Sequence, residues 1–232
     1  MPPVKRLENI FTAQHRSDPE RRYHTVDLYA IWCAKSFMLN HSAELNPFQT
    51  KYFLWIDAGA FRDSRYRFTH WPDAQRVRDI FKNEDKLLLG LINPLRRRYC
   101  TSNNSSVKYN LEVGPIKQDL IEGGFIAGNK NIIQWWTTLF YETLDAFVRK
   151  GHFIGKDQYA MNAIALSHPH LIKGMLSFRF PCANAWFAFG PILANQTDRA
   201  QWFGKRKDCN VENVTAVVLP MSSVCFDSKN VV

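Results

Sequence analysis

Five apolar residues in succession, Tyr52-Phe53-Leu54-Trp55-Ile56, run straight into Asp57-Ala58-Gly59-Ala60-Phe61-Arg62. An aromatic and β-branched run with no polar alternation predicts a strand buried on both faces, at the centre of a sheet. In open α/β sheets ligands gather beyond the carboxyl ends of the strands, and Asp57 falls there. Two readings of Asp57 stay open from these residues alone. It is either an Asx turn closing the strand or a carboxylate that meets a divalent cation or a sugar hydroxyl. Gly59 allows a sharp turn and the close approach of a ligand.

The rest of the chain supplies alternating helices and strands. Residues 1–26 are polar and basic and read as irregular. A helix is expected from its cap Asp27, with Leu28, Ile31, Trp32 and Leu39 on one face, closed by Asn46-Pro47. Pro72 reads as the first residue of a short helix that turns Val77, Ile80 and Phe81 inward. Residues 86–92 form a second continuous apolar run, stopped by Asn93-Pro94, and 101–106 read as an exposed loop. Leu120-Ile121-Glu122-Gly123-Gly124-Phe125-Ile126-Ala127-Gly128 reads as a short strand broken by glycines. Asn129 then caps a long helix in which Ile133, Trp136, Phe140, Leu144 and Phe147 keep helical spacing, up to Lys150-Gly151. Gly155-Lys156-Asp157-Gln158 opens another helix that stops before Pro169, and strand-like runs follow at 171–176 and 215–219. Strands interleaved with helices over 232 residues predict a single α/β domain.

A net charge of +9 raises the question of a nucleic-acid partner. The charge is scattered, however, and its densest runs, Arg96-Arg97-Arg98 and Lys205-Arg206-Lys207, are three residues long. A diffuse basic surface suits a small anionic substrate, and no nucleic-acid partner is expected. No stretch approaches the ~20 apolar residues of a membrane span, and Met1-Pro2-Pro3-Val4-Lys5-Arg6 does not read as a signal peptide. Cys33, Cys100, Cys182, Cys209 and Cys225 show no zinc spacing. Cys33 reads as a buried thiol, and the last three leave room for one disulfide of unassigned pairing. Asn40, Asn103, Asn104, Asn195 and Asn213 each open an N-x-[ST] sequon, where chance would give about 1.5. The excess points to the secretory pathway and the Golgi lumen.

Three segments therefore stand out: Asp57-Ala58-Gly59, the glycine-rich turn from Gly123 to Gly128, and Gly155-Lys156-Asp157-Gln158. Together they suggest an anionic donor held near a cation, with an acceptor hydroxyl activated by a carboxylate.

Trp55-Ile56-Asp57-Ala58-Gly59-Ala60-Phe61-Arg62, Glu122-Gly123-Gly124-Phe125-Ile126-Ala127-Gly128, Trp135-Trp136 and Ile154-Gly155-Lys156-Asp157-Gln158 resemble the HtrL/YibB (WlaTC-like) family. That family is grouped with nucleotide-diphosphosugar transferases of the GT-A fold. The resemblance is best over residues 27–176 and weak over 177–232. It implies a mixed sheet flanked by helices and transfer of a sugar from a nucleotide-diphosphosugar to a hydroxyl of a glycan or other acceptor. The alternative is a catalytically silent sugar-binding or interaction protein of the same fold.

By the same resemblance, Asp57 meets the donor ribose or a bound Mn or Mg ion. Gly59 stands where the usual Asp-x-Asp motif has its second carboxylate, so a further metal ligand is sought in Asp63, His168 or His170. Gly123 and Gly124 open the backbone to the sugar ring. Asp157 is the catalytic carboxylate, acting as general base in an inverting displacement or as an acceptor-positioning group in a retaining one. Lys156 and Arg62 offset the diphosphate charge, and Gln158 lines the donor side. Family members carry more chain ahead of the segment matching Leu28, so the resemblance also implies a chain short at its N-terminus, without the first strands.

Overall fold

The computed structural model describes residues 2–61, 68–101, 106–203, 209 and 214–227. Residues 1–26, read as irregular, begin instead with two helices, α1 (Pro2–Lys5) and α2 (Glu8–His15). Val4, Leu7 and Phe11 are spaced three and then four apart, so they share one face and bury it in the core. Charged residues between these few apolar positions hide the period from a sequence scan. Helix α3 (Val26–Leu45) is capped by Thr25, whose hydroxyl accepts from the Leu28 amide, and not by Asp27. Of the face expected to be apolar, Leu39 is buried and Trp32 packs half-buried on the core, but Ile31 is exposed, and Tyr29, Cys33 and Ser36 complete the buried side. Asn46, in the left-handed region at φ 36°, ends the helix.

Strand β1 (Tyr52–Ile56) follows, then α4 (Ala74–Phe81), β2 (Leu87–Leu91), β3 (Ile121–Asn129), α5 (Lys130–Arg149), α6 (Asp157–Ser167) and β4 (Ile172–Met175). The chain closes with α7 (Phe189–Leu193), α8 (Gln196–Phe203), β5 (Val218–Pro220) and α9 (Val224–Asp227). Helix α4 starts after Asp73, whose carboxylate accepts from the Arg76 amide, so Pro72 lies before the helix and does not open it. Asn129 caps α5 as its sequence predicts, with its side-chain oxygen accepting from the Ile132 amide at 3.1 Å. Beyond the C-cap Lys150, Gly151 takes φ 71°.

The protein is α/β, with a mixed five-stranded sheet in the order β1-β3-β2-β4-β5. Strands β2 and β4 are parallel and every other neighbouring pair is antiparallel. Strand β2, third of the five, is buried on both faces: Leu87, Leu89 and Leu91 join one core cluster and Leu88 the other. Strand β1, expected at the centre, is an edge strand and half-buried throughout. Its bulky residues pack toward both clusters, but with a neighbour on one side only they stay partly open. Strand β3 continues for 9 residues between β1 and β2, but its register against β2 shifts between the Leu89–Ile126 and Leu91–Ile121 pairs, across the segment that holds Gly123 and Gly124.

Helices α3, α5 and α6 cover one face, and α4 and α7 contribute to the cluster on the other. Two disulfides, Cys100–Cys225 and Cys182–Cys209, tie the last third of the chain to itself and to the segment after β2. Cys33 is a free thiol whose pKa burial pushes well above the ordinary value. Among the described residues no helix is long and apolar enough to cross a membrane.

Candidate functional site

Pairing of β1 with β3 sets the site. Ile56 lies opposite Phe125, and the Asp57 amide donates to the Gly124 carbonyl at 3.0 Å, so the ladder carries Asp57 beside the glycine pair. Helix α6 begins at Asp157 and brings its carboxylate to the other glycine: a Cβ on Gly123 would sit 3.2 Å from Asp157 Oδ2. A Cβ on Gly124 would lie 3.4 Å from Asp57 Oδ2. The two missing side chains leave the space in which both carboxylates meet.

Between them lies Lys35, which sequence reasoning missed. Its ammonium donates to the Gly123 carbonyl at 2.7 Å and to Asp57 Oδ2 at 3.2 Å, and pairs with Asp157 Oδ2 at 3.4 Å. Its side chain is 4% exposed. A signal was present: Lys35 follows Trp32 by three residues and precedes Leu39 by four, which places it on the side of α3 that carries apolar residues. A lysine at such a position requires a buried partner. Asp57 is held at both oxygens, since the Trp55 indole donates to Oδ1 at 2.7 Å.

A cleft of about 560 Å³ opens here, and Asp57, Gly59, Gly123, Gly124, Asp157 and Gln158 line it with Lys35 and Lys156. Residues separated by a hundred positions in the chain thus share one wall. Lys156 hydrogen-bonds Glu20 across the cleft. Gln158 uses its side chain to donate to the Ile121 carbonyl at 2.6 Å and its amide to donate to Asp157 Oδ1 at 2.8 Å. It therefore ties α6 to β3 as well as facing the cleft. Arg62 and Asp63 lie outside the described residues. His168 and His170 are not part of this site. His168 ends the 11-residue helix α6, roughly 16 Å along the axis from Asp157.

Glu122 is the second group the sequence reading left without a role. It is fully buried, lines the cleft, and neither carboxyl oxygen has a hydrogen-bond partner among the described residues. Gly90 makes its room: a Cβ there would lie 2.1 Å from Glu122 Oε1. Burial, then repulsion from Asp57, raise its pKa well above the ordinary range against the pull of Lys35. Asp157 is also raised by burial, with Lys35 and the Gln158 amide opposing the shift.

Both carboxyls hold their protons to higher pH in the fold than in the unfolded chain. Their contribution to stability is complete below the ordinary carboxylate range and is lost as pH rises through the raised values. Glu122→Gln is therefore expected to unfold at a higher temperature than the wild type at about pH 8, with the gap closing toward about pH 4. Thermal melts at the two pH values measure this, and a gap independent of pH would mean that Glu122 titrates normally.

A third cluster borders the cleft. Asp18, Glu20 and His24 each offer one ligand atom, all within 4.8 Å of one another, so this group could hold a metal ion. The Asp18 oxygens already have uses: they accept from the Tyr29 hydroxyl, the Glu20 amide and the His24 ring.

Compared with models of protein families, with curated proteins and with solved structures, the chain matches none.

Proposed function

We propose that this cleft binds a nucleotide-diphosphosugar and transfers its sugar to a hydroxyl acceptor. The observation that carries the reading is the convergence of Asp57, Gly123-Gly124 and Asp157 on one wall. These are the residues through which the sequence resembles the HtrL/YibB (WlaTC-like) family, and a GT-A relationship of the sheet belongs to the same proposal. In this reading Asp57, with its side chain 42% exposed, meets the donor ribose. The glycine pair lets the sugar ring lie against the backbone. Lys35 and Lys156 balance diphosphate charge.

Asp157 takes the proton of the acceptor hydroxyl as that oxygen bonds to the anomeric carbon. The bond from the anomeric carbon to the β-phosphate oxygen breaks, and the nucleoside diphosphate leaves. A carboxylate with a raised pKa is the stronger base for this step, provided it is ionised at the working pH. In a retaining reaction the same group positions the acceptor.

The test is nucleoside diphosphate release from a panel of nucleotide sugars offered with saccharide acceptors, using Asp157→Asn as the blank. Release above that blank supports transfer. Saccharide binding without release favours the sugar-binding alternative, and neither binding nor release sinks both readings.

The two disulfides and the sequon excess support a luminal, oxidising compartment as the place of action. Alkylation of the unreduced, denatured protein should then label Cys33 alone, and labelling of Cys100 or Cys182 would count against this placement.

A further inference from the structure

The divalent ion that the family resemblance implies does not fit at Asp57. One oxygen of Asp57 accepts from Trp55 and the other faces the Lys35 ammonium. A metal added beside that ammonium would meet a like charge where it needs a lone pair. We propose that Lys35 itself holds the place of the cation between Asp57 and Asp157, making that position independent of metal.

Three oxygens of the kind a hard cation selects converge on Nζ: the Gly123 carbonyl, Asp57 Oδ2 and Asp157 Oδ2. The ammonium neutralises one of the two carboxylates, and the neighbouring Glu122 carboxyl is fully buried beside them.

Lys35 is also held in place by the neighbouring helix. The Trp136 indole donates to Ser36 Oγ at 3.0 Å, Thr137 Oγ1 donates to the Ser36 carbonyl at 3.0 Å, and the Tyr141 hydroxyl donates to the Cys33 carbonyl at 2.8 Å. Helix α5 thus fixes the turn of α3 that carries the lysine, so the charge is preorganised as a bound ion would be. The extension of this role to balancing a donor diphosphate rests on the function proposed above; the occupation of the cation position does not.

Mn²⁺ binding tests it without any nucleotide sugar. Glu20→Gln serves as the background throughout, to weaken the Asp18–Glu20–His24 group. In that background the otherwise wild-type protein should show no Mn²⁺ uptake that Asp157→Asn removes. Lys35→Met, which fills the space without charge, should show none either. Lys35→Ala opens a hole lined by two carboxylates and a carbonyl, and should gain one Mn²⁺ site at least about tenfold tighter than in the Met variant. Adding Asp157→Asn should abolish that gain, and Mn²⁺ should raise the melting temperature of Lys35→Ala alone.

Uptake of Mn²⁺ in the cleft with Lys35 present and dependent on Asp157, or no gain in Lys35→Ala, overturns the proposal. If Lys35→Ala does not fold even with Mn²⁺ present, the arm that retains Lys35 decides alone by the same criterion. Metal results as expected with no nucleotide-sugar binding would keep Lys35 as the cation and reject the transferase reading.

Discussion

Asp157→Asn is expected to lower nucleoside diphosphate release by roughly two to four orders of magnitude, the usual contribution of a positioned general base. The loss should fall on kcat, with KM close to the wild-type value, because the proton moves only in the transition state. The fold should tolerate the change. Burial already disfavours the Asp157 charge, and Asn keeps the shape and an oxygen for the Gln158 amide. Lys35 retains Asp57 and the Gly123 carbonyl as partners. A coupled release assay beside a thermal melt measures both halves. Equal turnover in the variant would reduce Asp157 to the first residue of a helix, and a collapsed melting temperature would make its role structural.

Trp136→Ala should destabilise the protein by about 3–5 kcal/mol, the range for emptying a large buried aromatic site. Trp136 is completely buried, packs 6.1 Å from the Phe140 ring, and supplies the indole that binds Ser36. Trp136→Phe keeps most of the volume and drops that hydrogen bond, so about 1 kcal/mol is expected for the bond itself, plus a smaller packing loss. Urea unfolding of the three proteins resolves the difference. A loss below about 1 kcal/mol for the alanine variant would mean that α3 and α5 collapse into the gap, against the rigid contact seen here. The consequence for the site is direct, because the turn of α3 that Trp136 secures carries Lys35.

The parts of the fold that were legible share one property: their signals are local. The apolar positions from Ile133 to Phe147 repeat at helical spacing, and Asn129 and Gly151 bound that helix, so α5 follows from its own residues. The run that became β2 is apolar at each position because it is covered on both faces. The glycine pair and the two aspartates were visible as motifs, and the principle that ligands collect at strand ends was enough to expect them together. The register of β1 against β3 and the start of α6 then put them on one wall.

What the motifs did not carry was the order of the strands and the company each side chain keeps. Tyr52–Ile56 has the composition of a central strand, yet it lies at the edge, because centrality depends on how many partners the rest of the chain supplies. Lys35 and Glu122 join the site only when α3 packs on α5 and β3 pairs with β2. Each is an ordinary charged residue in the sequence and a buried ionisable group in the fold. His168 and His170 fall away from the site for the converse reason: a helix separates them from Asp157. Cys100 pairs with Cys225 across 125 residues, a choice made by proximity in space. By itself the sequence determined the class of fold, the long helix with its caps, and the residue types gathered at the cleft, since each depends on neighbours a few positions away. The tertiary structure alone decided which strand is central, which cation lies between the carboxylates, and which carboxyl is buried without a partner, since those depend on contacts between segments far apart in the chain.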